Sequence, residues 1–150
     1  MRAVVQRVVN AQVAVDGNLT GKIDSGLLVY LGVQDSDDEI ICRKMVDKIR
    51  RLRIFRDEND KMNLSVQDAG GSVLVVSQFT LYADLHRGNR PSFDRAGKPG
   101  HANALYEKFI EMMRQEGLHT EHGLFGADMA VSYTNSGPVT VIADSDELFS

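Results

Sequence analysis

Along the first part of the chain, apolar residues come in runs of strand length rather than at helical spacing. Met1–Val9 and Ala11–Val15 are rich in valine, which favours extended backbone. Asp16-Gly17 follows, a pair suited to a tight hairpin turn, and Leu19–Ile23 supplies the returning strand. Gly26–Val33 is continuously apolar and predicts a strand buried on both faces.

The period then changes. Ile41, Met45, Ile49 and Leu52 recur every three to four residues and predict a helix. Ser36 with Glu39 reads as its capping box, and Asp35, Asp37 and Asp38 suit its positive end. Ser72–Leu81 reads as the next strand. A second helix is expected from His101 to Glu116, with Ala102, Leu105, Tyr106, Phe109, Met112 and Met113 on its core face and Gly117 as its stop. Met129–Tyr133 and Val139–Ala143 predict the last two strands, with Gly137-Pro138 between them. Strands outnumber helices. The expected architecture is a single α+β domain over residues 1–150, with a mainly antiparallel or mixed, barrel-like sheet and two packed helices.

Length and composition fit that picture: 150 residues support one core without staples. No apolar stretch approaches the roughly 18 residues of a membrane span, and the early charges at Arg2 and Arg7 argue against a signal peptide. Cys42 is the only cysteine, so no intrachain disulfide is expected and a reducing, cytoplasmic setting is the simplest reading. A net charge of −4 argues against a protein that grips long stretches of DNA or RNA backbone. It leaves room for one that handles only an RNA end.

Candidate chemistry lies in three places. Ser72–Val76 is apolar on both faces, and the pattern then turns polar at Ser77-Gln78-Phe79-Thr80. Polar groups at the end of a buried strand either bond to neighbouring backbone or face a substrate, since an unsatisfied one costs about 1–3 kcal/mol. Next comes a loop from Asp84 to Gly100, where Arg87, Arg90, Arg95 and Lys98 outnumber Asp84 and Asp94. It is either a soluble connection or a positive rim for an anionic ligand. Third, Asn135-Ser136-Gly137-Pro138 is either an ordinary turn or a donor-poor element that presents carbonyls, because proline has no N–H. Lys44, Lys48, Arg50, Arg51 and Arg53 cluster toward the end of the first helix, where a dipole-matched solvated face and an RNA contact are both open readings. No phosphate loop, dinucleotide fingerprint or serine elbow is present.

Taken together, Ser77-Gln78-Phe79-Thr80 and Asn135-Ser136-Gly137-Pro138 resemble the Ser-Gln-x-Thr and Gly-cisPro motifs of the D-aminoacyl-tRNA deacylase family. The likeness extends from the Met-Arg-Ala-Val-Val-Gln-Arg-Val start to the last strand. It implies a homodimeric, cytoplasmic enzyme that hydrolyses D-aminoacyl-tRNA, and also glycyl-tRNA, without cofactor or metal. It further implies that Gly137-Pro138 is cis and reaches into the partner's site to reject L side chains, steadied by Arg7. Ser77, Gln78 and Thr80 would carry the chemistry, beside Phe79. Phe125 and Met129 would line a pocket for the terminal adenine. Thr80 is either the nucleophile or a positioning group in a site where backbone N–H groups hold the oxyanion and the tRNA's own 2′-OH assists. Two rivals stand beside this reading: a metal-dependent hydrolase using His119, Glu121 and His122, and a non-catalytic module that binds RNA ends through the 84–100 loop.

Overall fold

The computed structural model describes all residues from Met1 to Ser150. Two long strands, β1 (Arg2–Val15) and β2 (Asn18–Gly32), form an antiparallel hairpin. Asp16 and Gly17 take φ of 49° and 80° at its turn, as the Asp-Gly signal predicts. Each long strand merges two expected segments. β1 passes through Asn10 with φ 52° instead of breaking there.

After β2 come α1 (Glu39–Arg50), a small hairpin of β3 (Phe55–Arg56) and β4 (Met62–Leu64), and β5 (Ser72–Ser77). A 3-10 turn at Phe79–Tyr82 leads through the 84–100 loop to α2 (Pro99–Gln115). Then β6 (Thr120–His122), β7 (Ala130–Asp144) and a one-turn α3 (Ser145–Leu148) complete the chain. The main sheet runs β6-β5-β2-β1-β7, with β5 parallel to both β2 and β6 and the other pairs antiparallel. It is therefore the mixed sheet of the expected α+β domain.

Three local expectations change. Asp38, not Ser36, caps α1, its carboxylate accepting from the Ile41 N–H at 2.8 Å. Asp37 turns inward instead, accepting from the Met1 ammonium at 2.6 Å and from the Gln34 N–H at 2.9 Å. β5 ends at Ser77, so Phe79 and Thr80 belong to the 3-10 turn and not to a pleated strand. β7 continues through Gly137-Pro138 as one element with a bulge. Asn135 faces Val8 and Thr140 faces Gln6, so Ser136–Val139 all stand opposite Arg7.

α1 and α2 cover one sheet face. Cys42, Met45, Val46 and Ile49 from α1 meet Leu105, Phe109 and Met113 from α2 over Val5, Leu27, Val29, Val73 and Val75. The other face carries a smaller core of Val8, Ala11, Val13, Ile23, Leu28, Leu74 and Val76. No helix lies there. The outer half of the β1–β2 hairpin curls over it instead, until Gly21 meets the His122 backbone so closely that a Cβ would sit 2.5 Å from the carbonyl oxygen. This gives the sheet its barrel-like curl. Gly26 has φ +144°, and a Cβ there would lie 1.8 Å from the Ser72 carbonyl oxygen. Gly26→Ala should therefore cost about 3 kcal/mol or more in strain and overlap. Thermal unfolding is the check, with a fall in Tm on the order of 10 °C expected.

Candidate active site

The ladder between β5 and β2 ends with Ser77 beside Leu31, and the Gln78 N–H donates once more to the Leu31 carbonyl at 2.8 Å. The chain then tightens into the 3-10 turn, with Leu81 N–H donating to Gln78 O and Ala83 N–H to Thr80 O. Gln78 precedes the turn without capping it through its side chain. Its Nε2 donates to Thr80 Oγ1 at 2.5 Å. Thr80 Oγ1 thus accepts a hydrogen bond from an amide, and no histidine or carboxylate bonds to it.

Arg2 secures this turn from outside. Its Nη1 donates to the Leu81 carbonyl at 2.7 Å, its Nε to Asp144 Oδ2 at 2.8 Å, and the guanidinium lies 4.7 Å from the centre of the buried Tyr82 ring.

Beside Ser77 and Gln78 opens a cavity of about 550 Å³. Leu31 and Val33 form its floor. Phe79, Phe93, Tyr106 and Phe125 wall it, and Asp35, Asp94 and Lys98 stand at its rim. Phe79 is 57% exposed and meets Phe93 edge to face at 5.1 Å, while Tyr106 packs against Phe125 at 5.8 Å. The Tyr106 hydroxyl donates to the Val75 carbonyl at 3.1 Å, and burial raises its pKa. An aromatic slot of this size with few polar groups suits a flat heterocycle, which would stack on the rings.

Of the expected site residues, the structure brings Ser77, Gln78, Phe79 and Phe125 together at this cavity, with Thr80 exposed next to it. Met129 is elsewhere, packed against Gly123 and the smaller core. Gly137-Pro138, a cis peptide, projects from the edge strand β7 with both residues exposed. Arg7, only 8% exposed, supports it, with Nε donating to Ser136 O at 3.1 Å and Nη1 to Ile54 O at 2.8 Å. Asn135 Oδ1 accepts from the Val139 N–H at 3.1 Å and closes the bulge. His119 Nε2 approaches Glu121 Oε2 at 3.5 Å, whereas His122 Nδ1 turns to the Gly123 carbonyl, and no third ligand type joins them.

Phe93, Tyr106 and Arg2 were missed as site residues. An aromatic inside the polar 84–100 loop was the available signal for Phe93. Tyr106 reads as core because it is core on one side.

Residues 4–144 match the D-Tyr-tRNA(Tyr) deacylase family. The chain belongs to that family of enzymes. It is 54% identical over 149 residues to the D-aminoacyl-tRNA deacylase of Thermotoga petrophila, covering 99% of this chain and 100% of that one. With the D-aminoacyl-tRNA deacylase of Clostridioides difficile the identity is 53% over the same coverage. Among solved structures, the c-Myc DNA Unwinding Element Binding Protein superposes with a TM-score of 0.90 at 40% identity, covering 96% of this chain and 98% of that one. A probable eukaryotic D-amino acid tRNA deacylase shares the fold with a TM-score of 0.84 at 16% identity, over 95% of this chain and 97% of that one.

The brace behind Thr80 predicts a pH dependence of stability. Burial raises the Asp144 carboxyl, but the Arg2 guanidinium, the Asp146 N–H and the Met1 ammonium outweigh it and hold it below the ordinary 3.8. A lowered folded-state value means stability that is present above 3.8 and drains away as pH falls through the lower value. Asp144→Asn should flatten the acid limb of a Tm-against-pH profile below about pH 4. An unchanged limb would show that other carboxylates govern acid unfolding.

Proposed function

We propose that the protein hydrolyses the ester linking a D-amino acid to the terminal adenosine of tRNA, in the cytoplasm, and that each active site is built from two copies of the chain. Family membership supports the reaction. The single observation that carries the assignment of the site is the aromatic slot opening directly beside Ser77–Thr80. The adenine would stack between these rings, setting the ester against the polar turn.

The two-chain site is supported by distance. In the sheet register, Gly137 lies opposite Arg7, which is in line with Leu27 and Val73; Ser77 is four residues further along β5. Three strand spacings and four residues of rise amount to a separation on the order of 20 Å. One chain's Gly137-Pro138 therefore cannot close that chain's own cavity. A second copy has a surface to meet. Ile142, Val4, Tyr30 and Val76 form one cross-strand row on the face without helices, and Ile142 is 71% exposed at the β7 edge. Gln6 Oε1 is buried nearby with no partner. Tyr30 in this row is half-buried, and burial together with the neighbouring Tyr133 hydroxyl raises its phenol.

Water attacks the ester carbonyl, the bond to the ribose oxygen breaks, and the proton ends on that oxygen. Thr80 Oγ1 is positioned by Gln78 rather than activated by a base, which favours catalysis by orientation and by N–H groups near Gln78 and Thr80 over covalent attack. The substrate's 2′-OH would help activate the water. Backbone carbonyls of Gly137-Pro138 would exclude an L side chain by contact and leave a D side chain unread. Glycine, with no side chain, would pass the same filter, so glycyl-tRNA is also a substrate in this reading.

Purified protein should cleave D-charged tRNA and spare L-charged tRNA in parallel deacylation assays; equal rates on the two enantiomers would remove the chiral filter. In Thr80→Ala, kcat should stay within about tenfold of the parent enzyme, whereas a loss on the order of 10³-fold would restore Thr80 as the nucleophile.

A further inference from the structure

One charged surface plays no part in this chemistry. Lys44, Lys48, Arg51 and Arg53 surround a groove of about 530 Å³ at the end of α1, together with Asp47, Leu52 and Phe149. Their neighbours Arg43 and Arg50 are engaged by Asp47 and Glu116. The four groove cations make no ion pair, and all four residues are exposed. Lys44 Nζ lies 5.5 Å from the Phe149 ring centre. In a chain of net charge −4, four unneutralised cations around one groove are a local reversal of sign.

Position adds to charge. Arg53 is followed by Ile54, whose carbonyl accepts from Arg7, and Arg7 in turn donates to the Ser136 carbonyl beside Gly137. A buried guanidinium thus joins the basic groove to the Gly137-Pro138 projection. On the two-copy reading, on which this inference rests, that projection stands over the partner's cavity. The groove then flanks the partner's site, where RNA entering by its 3′ end must run on.

We propose that Lys44, Lys48 and Arg51 of one protomer bind the phosphate backbone of the tRNA acceptor stem whose 3′ end occupies the other protomer's site. From Lys44 to Arg51 the helix rises about 10 Å, enough to meet more than one phosphate. Such contacts add affinity without reading sequence, which suits an enzyme whose substrate is defined by its ester and not by its bases.

The test is the triple variant Lys44→Gln/Lys48→Gln/Arg51→Gln, with Arg53 kept because it also holds the Asn63 carbonyl. Binding of uncharged tRNA should weaken about tenfold or more, with the slope of log K against log salt shallower by about 2–3. KM for full-length D-aminoacyl-tRNA should rise in step while kcat holds. Cleavage of a D-aminoacyl ester of adenosine, which has no stem, should not change. An unchanged dissociation constant and salt slope would overturn the proposal, and so would equal losses on the long and short substrates. Preferential binding of polyglutamate over tRNA would overturn it too, by assigning the groove to an acidic protein. Failure of the parent enzyme to cleave either ester strikes the reading of the active site, whereas the uncharged-tRNA measurement judges the groove separately.

Discussion

Parallel pairing of β5 on β2 brings the two backbones together at Gly26, where the Ser72 carbonyl occupies the space a side chain would need. That contact sets the register from Gly26–Ser72 to Leu31–Ser77. Because side chains alternate across a strand, a shift of one residue would exchange the faces of Val73 and Leu74. It would also move the end of β5 away from the Leu31 carbonyl that receives Gln78. The polar turn lies beside the aromatic slot because this register holds.

Two arginines near the start of β1 extend that control to either end of the sheet. Arg2 ties the 79–82 turn to the end of β7, and Arg7 ties the β7 bulge to the segment after α1. Each satisfies backbone carbonyls outside the ladders, which would otherwise be unpaired in partly buried surroundings. The 79–82 turn and the Gly137-Pro138 projection are thus both braced from β1, yet lie at opposite sides of the sheet, at the end of β5 and on β7. Separation of this kind underlies the proposal that a second copy completes the active site.

Much of the fold was legible because local physics decided it. The Asp16-Gly17 turn, the two helix core faces and the apolar strands follow from backbone preference and period. Where two residues could do the same job, the sequence left the choice open. Ser36 and Asp38 both suit a cap, and Asp38 takes the role because the helix opens at Glu39. Ser72–Leu81 has no breaker after Ser77, so its change into a 3-10 turn could not be read; that end depends on Leu31 and Arg2, which are remote in sequence.

The same division applies to the site. Residue order alone determined that a buried strand turns polar at Ser77, that a donor-poor Gly-Pro step lies near the end, and that positive charge collects in the 84–100 loop and after Lys44. It also carried the family signature, because both motifs are contiguous. Only the tertiary structure decided that Phe79, Phe93, Tyr106 and Phe125 share one cavity while Met129 packs elsewhere. It alone decided that Gly137-Pro138 stands on the order of 20 Å from the turn within one chain. Contiguous motifs are written in the chain; distances between strands come from pairing register, which depends on contacts that neither partner encodes alone.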